Sequence, residues 1–257
     1  MFWNNYSNFN SAMSGFEYQQ HAAATYINYY PALYGSYHGV HANGGMQLAE
    51  KHGVGIVYSG DIIPVMTNTV LVNYNYQFDL KKAGKLSTGV GLGVGRVQIR
   101  KGYEDDYLFA IPEPQNTFQL AFGAAYKWKK LLLGVASTNL NQPKNPSTGS
   151  YYGPGIGINA HASYDFNIGE KFQLTPRALF SSRGGFQNLQ LNVTTTYDER
   201  FALGFSLHSR DNYGVNIGWD IKRKFRVAYS YNVTVSKLNN GASGGVHEFS
   251  IGYLLKN

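Results

Sequence analysis

Apolar and polar residues alternate singly along most of this chain, a period that fits the two faces of a β-strand and not the turn of a helix. Near the C-terminal end Phe225, Val227, Tyr229, Tyr231, Val233 and Val235 are separated by Arg226, Ala228, Ser230, Asn232 and Thr234. Phe201 to Leu207, Tyr213 to Ile221, Val70 to Leu80 and Ile156 to Phe166 repeat the pattern. Each run predicts a half-buried strand, and together they predict about fourteen, within the even-numbered range of outer-membrane barrels. Strands of a soluble sandwich average about five or six residues, whereas these run about nine to eleven, the length that crosses a bilayer at a tilt.

The connections alternate between two lengths. Short turns are predicted at 50–53, 81–85, 128–130, 168–171, 198–200 and 222–224, and longer ones at 59–68, 101–116, 141–154, 181–185 and 236–245. Membrane barrels keep short turns on the periplasmic side and longer loops outside. The pattern therefore predicts an all-β fold: a transmembrane antiparallel up-and-down barrel in a single domain spanning 1–257, with both termini periplasmic.

One stretch departs from simple alternation: Gly89, Gly91, Gly93 and Gly95 occupy every second position around Val90, Leu92 and Val94. A dinucleotide fingerprint needs G-x-G-x-x-G opening a helix, and here Val94 stands at the third glycine. Read as a strand, the segment turns Val and Leu to lipid and leaves a bare inner face, which marks close approach of other chain. The N-terminal segment 1–15, packed in or under the lumen, or an inward-folded loop is the expected occupant.

Composition narrows the class. Charged residues make up only 14% and aromatics 15%, against about 25% charged in ordinary soluble domains. Yet mean hydropathy is −0.30, and no run approaches the roughly 20 apolar residues of a membrane helix. A closed barrel is the membrane-compatible option left. The absence of cysteine excludes disulfides and thiolate metal sites. The opening MFWNNYSNFN has neither the basic start nor the apolar run of an export signal, so the chain reads as beginning after a cleavage site.

The net charge of +7 is concentrated at the short turns, in Lys51, Lys81, Lys82, Lys85, Lys129, Lys130, Lys171, Lys222, Arg223 and Lys224. A nucleic-acid footprint would form a continuous stripe, and no nucleic-acid partner is expected. A ring at one membrane face suits anionic headgroups or an acidic periplasmic partner, and equally reads as solvated turn charge.

Candidate chemistry is sparse. None of the seven histidines sits in an H-x-x-x-H or H-E-x-x-H arrangement. Lumen-facing His161, with Asp165 or Asp220, could pair with Arg177, as residues lining ordinary barrels also do. Glu104, Asp105 and Asp106 lack the spacing of a calcium loop, and the sequons at Asn192 and Asn232 fall within strands. No enzyme activity, cofactor or metal is expected.

Three blocks resemble a known family. FNSAMSG (9–15) is similar to the N-P-A-x-x-G element near the start of mature PorP/SprF family proteins, the type IX secretion membrane proteins of Bacteroidota. VLVNYNYQFDL (70–80) with GKLSTGVGLGV (84–94) resembles the second conserved block, and 226–255 the closing hairpin with its G-S-H-E-x-S-x-G-Y element. Ser11 replaces the expected Pro, and Val246 the Ser before His-Glu.

The resemblance implies an outer-membrane barrel that exports or retains cell-surface proteins, including gliding adhesins, through their C-terminal targeting domains. It also implies contacts with other secretion-system outer-membrane and periplasmic components, and with lipids and lipopolysaccharide. A fourteen-strand lumen is too narrow for a folded domain, so docking and not conduction is expected. Tyr103, Tyr107, Phe109, Tyr151 and Tyr152 in the long connections are the candidate docking anchors, or an upper aromatic girdle. A passive or ligand-specific transport barrel, porin-like or FadL-like, is the alternative.

Overall fold

The computed structural model describes residues 1–32, 37–62, 65–99, 114–141, 155–209, 212–235 and 244–255. Its strands are β1 (Gln20–Tyr29), β2 (Tyr37–Ala49), β3 (His52–Ile62), β4 (Val65–Asp79), β5 (Lys85–Ile99), β6 (Gln115–Trp128) and β7 (Leu131–Thr138). They continue with β8 (Gly157–Tyr164), β9 (Phe166–Ile168), β10 (Phe172–Arg183), β11 (Phe186–Tyr197), β12 (Phe201–His208), β13 (Asn212–Ile221), β14 (Phe225–Thr234) and β15 (Val246–Leu255). Each pairs antiparallel with its neighbour in sequence, β10 joins β8 and β11, and β15 returns to β1. Fourteen strands thus close into a barrel. Closure satisfies the backbone N–H and C=O groups that an open sheet edge would strand in hydrocarbon. The fifteenth, β9, pairs only with the first residues of β10, continuing the line of β8 after a break at Asp165.

Alternation sets the two faces. Val72, Val94, Leu203 and Ile217 stand outward and exposed, while Asn73, Asn192 and Ser230 are each 1% exposed on the inner face. Along β14, Val227 and Tyr229 point outward and Ala228, Ser230 and Asn232 inward. Outward aromatics meet at the short-turn end: Phe172 with Tyr197 at 5.0 Å, Phe201 stacked on Trp219 at 5.9 Å, and Phe225 with Tyr253 at 5.4 Å. Such a belt suits the headgroup level of a bilayer. Among the described residues no helix is long and apolar enough to cross a membrane.

Tight turns are built by chemistry the sequence only partly signals. Asp198–Glu199 and Lys222–Arg223 all have positive φ, and the flanking Arg200→Tyr197 and Lys224→Ile221 backbone bonds of 2.9 and 3.1 Å close two-residue hairpins. That geometry usually recruits Asn-Gly. Two connections expected to be long are in fact tight. The stretch 59–68 is mostly ladder, Ser59 pairing with Thr69 and Asp61 with Thr67. At 181–185 the ladder runs to Arg183, paired with Phe186, because Gly184 and Gly185 supply φ values of 55° and 82°. Strand β3 continues past its apolar rows, and its polar top has no apolar face to mark it as ladder.

The basic residues named above all lie at one end of the barrel, in or beside the connections β2–β3, β4–β5, β6–β7, β9–β10 and β13–β14. Strand β1 begins and β15 ends at this same end.

Candidate functional site: a plug made from the N-terminal segment

Residues 1–18 lie inside the barrel. They fold as three 3-10 turns, Phe2–Asn4, Tyr6–Asn8 and Ser11–Met13, too short and irregular to satisfy their own backbone. The wall completes the bonding. Along β4, Asn73, Asn75 and Gln77 take successive inward positions, and their side-chain amides donate to the carbonyl oxygens of Ser7 (3.3 Å), Ser14 (2.5 Å) and Gly15 (3.1 Å). Ser87 Oγ donates to Ala12 O at 2.8 Å, and Asn159 Nδ2 to Phe9 O at 3.4 Å. A buried carbonyl left unpaired costs about 1–3 kcal/mol, so these wall residues fix where the segment rests.

The segment's own side chains reach back. Asn5 donates to Thr25 Oγ1 and accepts from Asn43 Nδ2, both at 2.9 Å. Asn10 caps the third turn by accepting from Ala12 N at 3.0 Å, while its Nδ2 meets Ala124 O and His161 Nε2, each at 3.1 Å. Asn4 joins Ser250 and Arg226 at 3.3 Å each, and the nitrogen of Met1 meets the Glu248 carboxylate. With Asn8 Nδ2 donating to Ser59 Oγ of β3 at 3.4 Å, the contacts reach β1 to β6, β8, β14 and β15.

An apolar cluster adds to this: Phe2, Tyr6, Ala12, Met13 and Phe16 pack with Ala125, Leu132 and Leu179 of β6, β7 and β10. Burying Met13 and Phe16 contributes roughly 1.5–3 kcal/mol each. Burial also pushes the Tyr6 phenol up from its ordinary value. The half-buried Glu17 carboxyl is likewise raised by loss of water, against the pull of Lys127 and then Arg177.

The glycine stripe faces this segment at two of its positions. A Cβ on Gly89 would stand 2.7 Å from the backbone of Ser11 and Ala12, and one on Gly91 would be 3.7 Å from Ser11 Cβ. Gly93 and Gly95 instead crowd the wall, against Val70 O and the Gln119 side chain. Glycines that no motif signalled do the same work: Gly53 and Gly55 beside Ser14, Gly123 beside Asn10, and Gly134 beside His161 and Asn10. Their inward parity between small residues was the available sign, but only the occupant distinguishes them from ordinary strand glycines.

The polar set around His161 is arranged differently from the pairing its sequence suggests. Arg177 bonds to Asn192 Oδ1 at 3.2 Å and lies over the Trp3 ring, Asp220 is held bidentate by Arg226 at 2.6 Å, and Asp165 accepts from Thr175 at 2.7 Å. The His161 ring lies 4.7 Å from that of Tyr6, tilted by 30°. Its environment is that of a packing residue under the segment. Among the described residues no group of His, Cys, Asp and Glu could hold a metal. Tyr103, Tyr107, Phe109, Tyr151 and Tyr152, like Glu104 to Asp106, lie outside the described residues.

The segment divides the lumen. Above it, toward the long connections, a bowl of about 940 Å³ is floored by Phe2 and Phe9; below it, a cavity of about 600 Å³ opens at the short-turn end under Trp3 and Phe16.

A family model described as type IX secretion system membrane protein PorP/SprF matches residues 1–253, plug and barrel together. The chain belongs to the PorP/SprF family. No curated protein matches it in sequence. Solved structures of similar fold include the Acinetobacter baumannii outer membrane protein Omp33, with a TM-score of 0.55 at 10% identity, covering 95% of this chain and all of that one. The Ralstonia pickettii toluene transporter TbuX gives 0.57 at 9%, covering 96% and 92%. The CymD monoaromatic hydrocarbon channel gives 0.52 at 9%, covering 96% and 90%. At such identities the likeness concerns the fold. Family and fold place this PorP/SprF barrel in the outer membrane as a type IX secretion protein.

Proposed function

We propose that this PorP/SprF barrel docks secreted cell-surface proteins, such as gliding adhesins of a Bacteroidota cell, by their C-terminal targeting domains and is not their conduit. The observation that carries this reading is the plug: the lumen is occupied by the chain's own N-terminal segment, bonded to one continuous arc of wall from β14 through β15 and β1 to β6, and to β8. In this reading the whole chain is one domain, the short-turn end with both termini faces the periplasm, and cargo is held outside by the long connections. Other secretion components, lipids and lipopolysaccharide are its remaining partners.

Replacing Tyr107, Phe109, Tyr151 and Tyr152 by Ala tests it. Aromatic anchors in an interface typically lose about 2 kcal/mol or more each on truncation. The variant is expected to assemble normally but to lose the surface protein that co-purifies in mild detergent. Retention of cargo at wild-type levels, with loss on neutralising Lys81, Lys82, Lys129 and Lys130, would place docking on the other side.

A transport role is the second reading. It is favoured by the cavities above and below the plug and by the fold shared with a toluene transporter and a hydrocarbon channel. Steady single-channel currents from the intact protein would favour it over docking.

A further inference from the structure

Below the plug, the cavity at the short-turn end is a vestibule whose lining cations outnumber its carboxylates by nine to five. Two lysines give it an unusual wall. Lys85 and Lys127 are directly opposite partners in the β5–β6 ladder. Both are inward positions, since Ser87 and Ala125, one inward step deeper on the same strands, are 0% and 1% exposed. Like charges directly opposite on neighbouring strands repel and weaken the pairing.

The surrounding carboxylates offset this in part, and among the described residues none comes within ion-pair distance of either lysine. Asp79 faces Lys85 across the β4–β5 ladder and keeps its charge while one oxygen accepts from the backbone N–H of Lys81 at 2.8 Å. Asp220 is committed to Arg226 at 2.6 Å and Glu199 to Arg223 at 3.3 Å. Glu17 acts on Lys127 through its charge alone.

We propose that this vestibule binds an acidic peptide segment of a partner protein, entering from the short-turn side with its carboxylates against Lys85 and Lys127. Its volume of about 600 Å³ falls in the roughly 300–1,000 Å³ range of ligand pockets and is several times what one small anion needs. Lysine ammonium groups are point charges without a forked geometry, which suits flexible carboxylates arriving at varied angles. Gln173, on β10 beyond β7 and β8, offers bonds to a peptide backbone, and Trp3 and Leu254 offer apolar contact. Repulsion that weakens the empty wall becomes affinity when an anion arrives.

The test uses the full chain in non-ionic detergent at low salt, with fluorescein-labelled octaglutamate followed by anisotropy and octaglutamine as the neutral probe. Octaglutamate is expected to bind, more weakly as salt is added, and octaglutamine not to bind. Lys85→Gln with Lys127→Gln should reduce affinity at least about tenfold, because both cations placed against the peptide carboxylates are lost, and should raise the melting temperature of the empty barrel. Lys51→Gln with Lys171→Gln removes the same charge outside the vestibule and should change neither. Equal losses in the two double variants would overturn the proposal in favour of diffuse rim charge. So would displacement of the peptide by inorganic phosphate at equal charge concentration, which would indicate a simple anion site, or failure of octaglutamate to bind at all. If the double variant does not fold, Lys127→Gln alone carries the comparison.

Discussion

Two arcs of the same wall put the same residue types to different uses. From β1 to β6, inward Thr25, Asn43, Asn73, Asn75, Gln77 and Ser87 are bonded to the plug. From β11 to β13 the inward polar residues bond to one another: Asn192 Nδ2 and Asn216 Nδ2 both donate to Ser206 Oγ, at 3.0 and 3.1 Å, and Thr194 Oγ1 donates to Asn192 Oδ1 at 2.8 Å. Among the described residues no hydrogen bond joins that second arc to the plug. The longest strands belong to the first arc, with 15 residues in β4 and in β5 against 8 in β12. Alternation decides which face a side chain takes, and the contents of the lumen decide what it does there.

Removing the plug should break the comparison most completely. A chain lacking residues 1–15 is expected to close as a barrel, through the same ladders, but to conduct in planar bilayers where the intact chain is nearly silent. Silent, folded protein after the deletion would mean that other parts of the chain block the lumen.

Paired glycine substitutions sharpen the contrast at single positions. Gly89→Ala puts a Cβ 2.7 Å from plug backbone, whereas Gly218→Ala on the other arc meets nothing closer than Ala202 Cβ at 3.4 Å. Overpacking against backbone costs about 1–3 kcal/mol, and an accommodated change stays within about 0.5 kcal/mol. Melting curves of the two variants should therefore separate, with Gly89→Ala the lower. Equal melting would show that the plug yields readily.

The smallest effect concerns pH. Glu17 titrates above the ordinary glutamate range when seated, so the seated plug binds more protons than the released one. Its contribution to stability is greatest below the unfolded carboxyl value and declines as pH rises through the raised one. Thermal stability measured across that window should fall with rising pH, and Glu17→Gln should flatten the dependence while stabilising the barrel at neutral pH. An unchanged slope in Glu17→Gln would assign the pH effect to other carboxylates.

The sheet was legible because lipid on one side and a polar interior on the other impose a strict period on every strand, as in Val227, Ala228, Tyr229 and Ser230. Connection lengths were less so. Polar ladder rows such as Ser59–Thr69 carry no apolar face to mark them, and the Gly184–Gly185 turn resembles the start of a loop. Gly89 to Gly95 signalled a need for room at one place. The amide row Asn73, Asn75 and Gln77 gave no comparable sign, since the inner face of any barrel is polar. Its role depends on where carbonyl oxygens of a distant segment come to lie, which no local pattern encodes.

The plug also constrains the order in which the molecule can be made. It precedes β1 in the chain, yet Asn4 bonds to Ser250 across 246 positions, and its other partners are spread over most of the strands between. Contacts of such separation form late, after the loops they close have been ordered. Once β15 pairs with β1 along ten residues, the wall is continuous and the short-turn end, where the segment is tethered, is the way in that remains. The segment is captured either before the seam zips or through that end afterwards, and until then the newborn sheet would present its bare amide row.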